Sequence, residues 1–187
     1  MTDPYVYPGT RVLRNVENIH DAEELARFER LMTAQRLREG LPNVELSADG
    51  YRALHGHLFQ DVYDWAGRDR IVEIAKGDSL FCLPQFISPE LDKRFAAIKA
   101  ERYLNRLTAM QFAKQAAEHV SELNAIHPFR EGNGRTTRAF LGILGEQAGH
   151  RIEMQRIDPG AWIDASRESF RTGECGLMYA VIAGALA

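Results

Sequence analysis

The 187-residue sequence has two cysteines, Cys82 and Cys175, too few for a disulfide framework. It has no apolar run near the roughly 18 to 20 residues that a helical membrane span needs. Ser/Gly-rich linkers, low-complexity stretches and a repeat period are absent as well. The opening residues MTDPYVYPGT carry neither a basic n-region nor an apolar h-region. Together these absences set the expectation of a cytoplasmic protein with no membrane partner. Positive charge is not in excess either, since the formal net charge is -3. The summed field repels a polyanion, which argues against direct nucleic-acid binding, so any affinity for phosphate has to be local. Neither HExxH nor GxxxxGK[ST] occurs, and zinc-peptidase and P-loop chemistry have no footing. What is present, 45% AVILMFWYC and 26% DEKR, suits one compact domain with a sizeable core.

The pattern along the chain is that of an all-α, mainly helical fold with a small β-hairpin. Residues 1–18 read as an extended arm in which Tyr5, Tyr7 and Pro8 pack against the body, and residues 19–187 as a single domain. Leu25, Phe28, Leu31, Met32 and Leu37 recur at helical spacing, with Gly40 and Pro42 as the stop. Ser47 caps a second helix that buries Tyr51, Leu54 and Leu58, after which Trp65 anchors a turn. Between about 70 and 83 the β-branched Ile71, Val72 and Ile74, the turn residues Gly77 and Asp78, and Leu80, Phe81 and Leu83 predict the hairpin. Helical spacing resumes near Ser88 with Pro89 in the first turn. Another helix starts at Thr108 and carries Ala113, Ala116, Val120 and Leu123 on its inward stripe, which four residues further on reaches His127. Three more helices follow, from Gly134 to Gln147, from Asp158 to about Phe170 with Pro159 at the first helical position, and from Gly176 to Leu186.

Residues 127–138, HPFREGNGRTTR, concentrate functional residue types in one helix–loop–helix connection. Pro128 disfavours helical geometry at His127 and ends the preceding helix there. Phe129 pins the loop to the core, while Gly132 and Gly134 permit positive φ and close approach of backbone N–H groups to an anion. The start of the next helix directs unpaired N–H groups and the positive end of its dipole to the same spot. Arg135 and Arg138, three residues apart, are neighbours whose guanidinium forks suit phosphate oxygens. Glu131 fits beside phosphates if a hard cation such as Mg²⁺ lies between them. With an unperturbed pKa of about 6.5, a histidine can take the proton of an attacking hydroxyl near neutral pH. A nucleoside triphosphate with Mg²⁺ is the natural ligand of this set.

The string matches HxFx[DE]GNGRxxR, the signature of the Fic family, at every specified position, and LFQDVYDWAG together with the upstream hairpin resembles bacterial Fic proteins. The resemblance implies a protein adenylyltransferase that moves AMP from ATP to a protein hydroxyl. On that reading His127 is the catalytic base and Glu131 the Mg²⁺ ligand. Gly132, Asn133, Gly134, Arg135, Thr136 and Arg138 bind ATP, joined by Lys76 and Gly77 from the hairpin, or flap. Asp78, Ser79, Leu80 and Phe81 would dock the target by main-chain pairing. The family's phosphorylating, Doc-like branch has lysine where this chain has Gly134, so glycine here favours AMP transfer.

Many Fic proteins are held inactive by a helix bearing [ST]xxxE[GN]. The sequence has no full match, and the nearest, Gln35 to Glu39 followed by Gly40, also reads as an ordinary glycine-capped helix end. The resemblance therefore implies inhibition by a separate small antitoxin carrying that helix. It also implies a toxin that modifies the ATPase subunits of gyrase or topoisomerase IV. The rival readings are transfer of another phosphate-linked group, a secreted effector, and a non-catalytic partner-binding module. His55 and His57 form an HxH, but on a helix they diverge by about 200°, and a structural or surface role is expected of them. His119, Cys82 and Cys175 are read as structural.

Overall fold

The computed structural model describes residues 3–76 and 79–187, with Lys76 and Ser79 described by their backbone alone. The sequence expectations for Gly77 and Asp78 therefore lie outside the described residues. Helices α1 (Ala22–Glu39), α2 (Ala48–Phe59), α3 (Pro84–Ala100), α4 (Ala109–Ile126), α5 (Asn133–Ala148), α6 (Pro159–Thr172) and α7 (Gly176–Ala185) build the body. Strands β1 (Ala75–Lys76) and β2 (Ser79–Leu80) pair antiparallel between α2 and α3, with Ala75 opposite Leu80. No helix among the described residues is long and apolar enough to cross a membrane.

Most helix starts follow from side-chain caps that the sequence displays. The side chains of Asp21, Ser47 and Asp158 accept the N–H of Glu24, Gly50 and Ala161, and Thr108 forms a reciprocal capping box with Gln111. Helix α4 lies at the centre, packed by α3, α5, α6 and α7, with Phe112, Ala116, Val120 and Leu123 fully buried. Its alanines let neighbouring helices come close, while α2 packs on α1, α3 and α5.

Four features differ from the sequence expectation. Helix α3 starts at Pro84, which takes the first helical position, so Pro89 sits inside the helix. The hairpin is shorter than 70–83, because the Val72 carbonyl is held by the Arg70 side chain rather than by a partner strand. Gly134 is helical, and positive φ in the motif falls on His127 and Gly132. On α1 the buried stripe is Leu25, Glu29 and Thr33, leaving Leu31 and Leu37 exposed. Two polar residues at spacing i, i+4 thus face inward, and the buried Glu29 lies against the loop described below.

The arm folds back on itself through a bridge between Val6 and Leu13. Tyr5 packs edge-on against Trp65 and accepts the Ile71 N–H, and Asp3 pairs with Arg130 of the motif loop at 2.8 Å. The arm is thus tied both to the base of the hairpin and to the loop.

Candidate active site

His127 closes α4 in the left-handed conformation, φ 48° and ψ 60°. For a residue with a Cβ this region is strained by about 1–2 kcal/mol and persists only where neighbours hold it. Arg70 is a large part of that hold. Its backbone N–H donates to the Pro128 carbonyl at 2.8 Å, and its Nε donates to the His127 carbonyl at 2.8 Å. Nη1 reaches the Val72 carbonyl at 2.6 Å and Nη2 the Cys82 carbonyl at 2.5 Å. The side chain is fully buried, and burial lowers its pKa. One guanidinium therefore ties the end of α4 to both sides of the hairpin base, and its charge faces the negative end of the helix dipole. Phe81, next to Cys82, stacks on the His127 ring with centroids 3.9 Å apart. On the imidazole, Nδ1 donates to the Asn124 carbonyl at 3.3 Å, which in the neutral ring makes Nε2 the basic nitrogen.

Loop and helix beyond His127 are seated on aromatic rings. Phe129 is fully buried and stacks on His55 with centroids 3.8 Å apart. Gly132 has φ +85°, and a Cβ there would lie 2.3 Å from the Phe59 ring, so the close approach as well as the conformation requires glycine. The Asn133 amide is turned into the loop, accepting the Phe129 N–H at 2.9 Å and donating to the Phe129 carbonyl at 2.7 Å. Its side chain is thus a loop brace, and what it can offer a ligand is its backbone N–H. Thr136 is fully buried and donates to the Gly132 carbonyl, so its side chain stays out of the cleft. The first helical bond of α5 runs from the Thr136 N–H to the Gly132 carbonyl. The N–H groups of Asn133, Gly134 and Arg135 come before it and lie at the positive end of the helix. A Cβ at Gly134 would meet open space.

These elements enclose a cleft of about 650 Å³ bounded by the motif loop, the start of α5, Ile74, Ala75 and Phe81 from the hairpin, and one face of α6. Arg130, Arg135, Arg138, Arg167 and Arg171 line it, and Glu131 is the acidic residue among its lining. A locally cationic cleft in a chain of net charge -3 is suited to a compact polyanion. Arg138 is half-buried, its pKa is lowered by desolvation and by Arg135, and among the described residues it has no carboxylate partner. Arg135 is different, since its Nη2 donates to Glu29 at 2.6 Å and approaches Glu131 at 3.5 Å. The Glu131 carboxylate is about half exposed at the cleft and accepts the Gly132 N–H at 2.8 Å. Among the described residues, no group of three or more His, Cys, Asp or Glu side chains is arranged to hold a metal ion by itself. One exposed hard oxygen donor beside a phosphate site fits Mg²⁺, which commonly takes one carboxylate with phosphate oxygens and water.

The structure brings His127, Glu131, Gly132, Gly134, Arg135, Arg138 and Phe81 to one cleft. Leu80 is exposed and does not line it. For Lys76 and Ser79 the backbone alone places them in the hairpin. Sequence reasoning missed Arg70, Glu29 and the α6 wall of Trp162, Ser166 and Phe170. The last three stand at i, i+4 and i+8, a helical stripe that was there to be read.

His55 supports the loop from behind. It is buried and accepts the Gly67 N–H at Nδ1, 2.8 Å away, while Nε2 donates to the Glu131 carbonyl at 3.0 Å. His57, on the same helix, faces the Arg36 carbonyl instead. The His55 pKa is pushed down to about 3, mainly by burial, which the hydrogen bond to the Glu131 carbonyl partly opposes and the Arg135 charge reinforces. In the unfolded chain histidine titrates near 6.5. Between these values the unfolded chain binds a proton that the folded one does not. Stability is therefore complete above about pH 6.5 and falls with falling pH by about 1.4 kcal/mol per unit. From pH 7 to pH 5, urea unfolding should show wild type losing about 2 kcal/mol more than His55→Gln. Equal losses in the two proteins would contradict a neutral buried His55.

Comparison with known proteins adds an independent line. A family model described as Fic/DOC matches residues 45–144. The probable protein adenylyltransferase y4lH of Sinorhizobium fredii is 48% identical over 169 residues, covering 90% of this chain and 88% of its own length. The protein adenylyltransferase VbhT of Bartonella schoenbuchensis is 37% identical over 183 residues, covering 96% of this chain and 38% of its own. A solved structure of BepC, a VirB-translocated effector of Bartonella tribocorum with bound AMPPNP, matches with a TM-score of 0.88 at 26% identity. That match covers 98% of this chain and 96% of the other.

Proposed function

Because the chain belongs to the Fic/DOC family, we propose that it is a protein adenylyltransferase, transferring AMP from MgATP to a hydroxyl side chain of a target protein. The observation that carries this reading is the convergence of His127 and the start of α5 on one arginine-lined cleft. The triphosphate lies along the N–H groups of residues 133–135 with Arg135 and Arg138 beside it, and α6 supplies apolar surface for the nucleoside. The target hydroxyl attacks the α-phosphorus, a new P–O bond forms and pyrophosphate leaves. The proton passes to Nε2 of His127, which the Asn124 carbonyl and the Phe81 ring keep oriented. Charge developing on the α-phosphate meets preorganised N–H donors at the end of a helix. Glu131 is the residue that would hold Mg²⁺, which when bound offsets phosphate charge. Open space at Gly134 lets phosphate approach the backbone, in keeping with AMP transfer rather than the phosphorylation of the lysine-bearing branch.

Regulation and target extend the same reading. Glu39, nearest to an internal inhibitory glutamate, ends α1 and is tied to Gln35 and Arg36 rather than to the motif. That supports inhibition from outside the chain, by a small antitoxin carrying [ST]xxxE[GN] whose glutamate would pair with Arg138. The proposed setting is a cytoplasmic toxin acting on the ATPase subunits of gyrase or topoisomerase IV. Incubation of a bacterial lysate with the protein and α-labelled ATP should label both of these subunits. Labelling of other bands alone would remove the topoisomerase assignment and leave the transfer chemistry standing.

A further inference from the structure

We infer that Glu29 is a positioning residue for Arg135, holding one edge of its guanidinium so that the remaining donors face the triphosphate; the inference rests on the MgATP reading above. Glu29 lies on α1, outside the signature and 106 residues from its partner. Among the described residues, Glu29 is the buried carboxylate, with 9% of its surface exposed. Both of its oxygens are engaged, Oε1 accepting from Arg135 Nη2 at 2.6 Å and Oε2 accepting from the Tyr63 hydroxyl. Burial, and then the charge of Glu29, push the Tyr63 pKa far up, so the phenol stays a donor.

The guanidinium is fixed from a second direction. Its carbon lies 4.7 Å from the centre of the Phe59 ring, the same ring on which Gly132 rests. Phe59 therefore sets the height of the loop and of the arginine together, and Glu29 sets the arginine's rotation. Among the described residues, the hydrogen bonds of Arg135 run through Nη2 alone. Nε and Nη1 have no hydrogen-bond partner among the described residues, and Arg135 lines the cleft. A lone arginine would lose several rotatable bonds on clamping a phosphate, whereas one held in place has already lost them. A buried carboxylate whose cation is removed is costly, so the pair has little freedom to separate.

The opposite arrangement, in which Glu29 competes with phosphate for Arg135, makes the opposite prediction. The test is a double-mutant cycle read as MgATP affinity by titration calorimetry on wild type, Glu29→Gln, Arg135→Ala and the double variant. Positioning predicts that Glu29→Gln weakens MgATP about fivefold and causes no further loss in the Arg135→Ala background. Unchanged or tighter binding by Glu29→Gln, or the same loss in both backgrounds, would overturn it. If Glu29→Gln does not fold, Tyr63→Phe carries the test, with an expected loss of about twofold that also vanishes without Arg135. No loss in Tyr63→Phe then overturns the role. Wild-type protein that fails to bind MgATP would overturn the nucleotide reading itself. Wild-type binding without coupling would overturn the role of Glu29 alone.

Discussion

Replacing His127 with alanine should lower the rate of AMP transfer by about two to four orders of magnitude while leaving MgATP affinity within about twofold. The asymmetry follows from where the side chain stands. His127 ends α4 and lines the cleft, whereas the phosphate donors come from the start of α5 and from Arg135 and Arg138. Removing the imidazole takes away the acceptor for the hydroxyl proton and leaves the cradle in place. A general base that acts only while the new bond forms affects the transfer rate and not ground-state binding. The left-handed backbone at position 127 does not depend on the ring either, because Arg70 holds the carbonyl. Transfer at the wild-type rate by the variant would show that His127 is not the base.

A second large effect is expected at Arg70. Truncation to alanine removes the donor that the half-buried carbonyls of His127, Val72 and Cys82 share, and leaves a cavity where the guanidinium was buried. Loss of stability of about 3–5 kcal/mol is expected, with a fall in Tm of about 10 °C. Lysine keeps the charge but lacks the planar fork that serves several carbonyls at once, so Arg70→Lys should recover only part of the loss. Thermal and urea unfolding of the two variants against wild type measure this. A loss below about 1 kcal/mol in Arg70→Ala would mean that the loop and hairpin hold one another without the arginine.

Most of the helical frame was readable because it is specified locally. Asp21, Ser47, Thr108 and Asp158 are caps whose chemistry needs only their own helix, and the inward stripe of α4 is an i, i+3/i+4 pattern. Helix α3 was misjudged by four residues because Pro84 and Pro89 both suit a first turn, and the sequence does not say which does the starting. The chemical loop was legible as a string, but the direction of its side chains was not. Asn133 and Thr136 carry ligand-like groups, yet both bond back to the loop, since burial leaves their polar atoms no other partner.

What escaped altogether is long-range. Glu29 lies on a helix whose exposed leucines looked like its core face, and its partner is 106 residues away. Arg70 falls at the edge of a β-branched segment and looked like an ordinary start to a strand. Its four carbonyl acceptors come from Val72, Cys82 and the end of α4, and no spacing rule connects them. Both residues are charged and buried, a combination that local pattern cannot announce because tertiary structure alone decides which charge is enclosed.

The most direct test of AMP transfer compares ATP labelled at the α-phosphate with ATP labelled at the γ-phosphate, using wild type and His127→Ala in a bacterial lysate. Relative to lysate without the protein, wild type should add bands labelled from the α position and none from the γ position, and the variant should add α-label at a rate about two to four orders of magnitude lower. Label from the γ position that depends on the added protein, or α-label that persists at the wild-type rate in the variant, would contradict AMP transfer by His127.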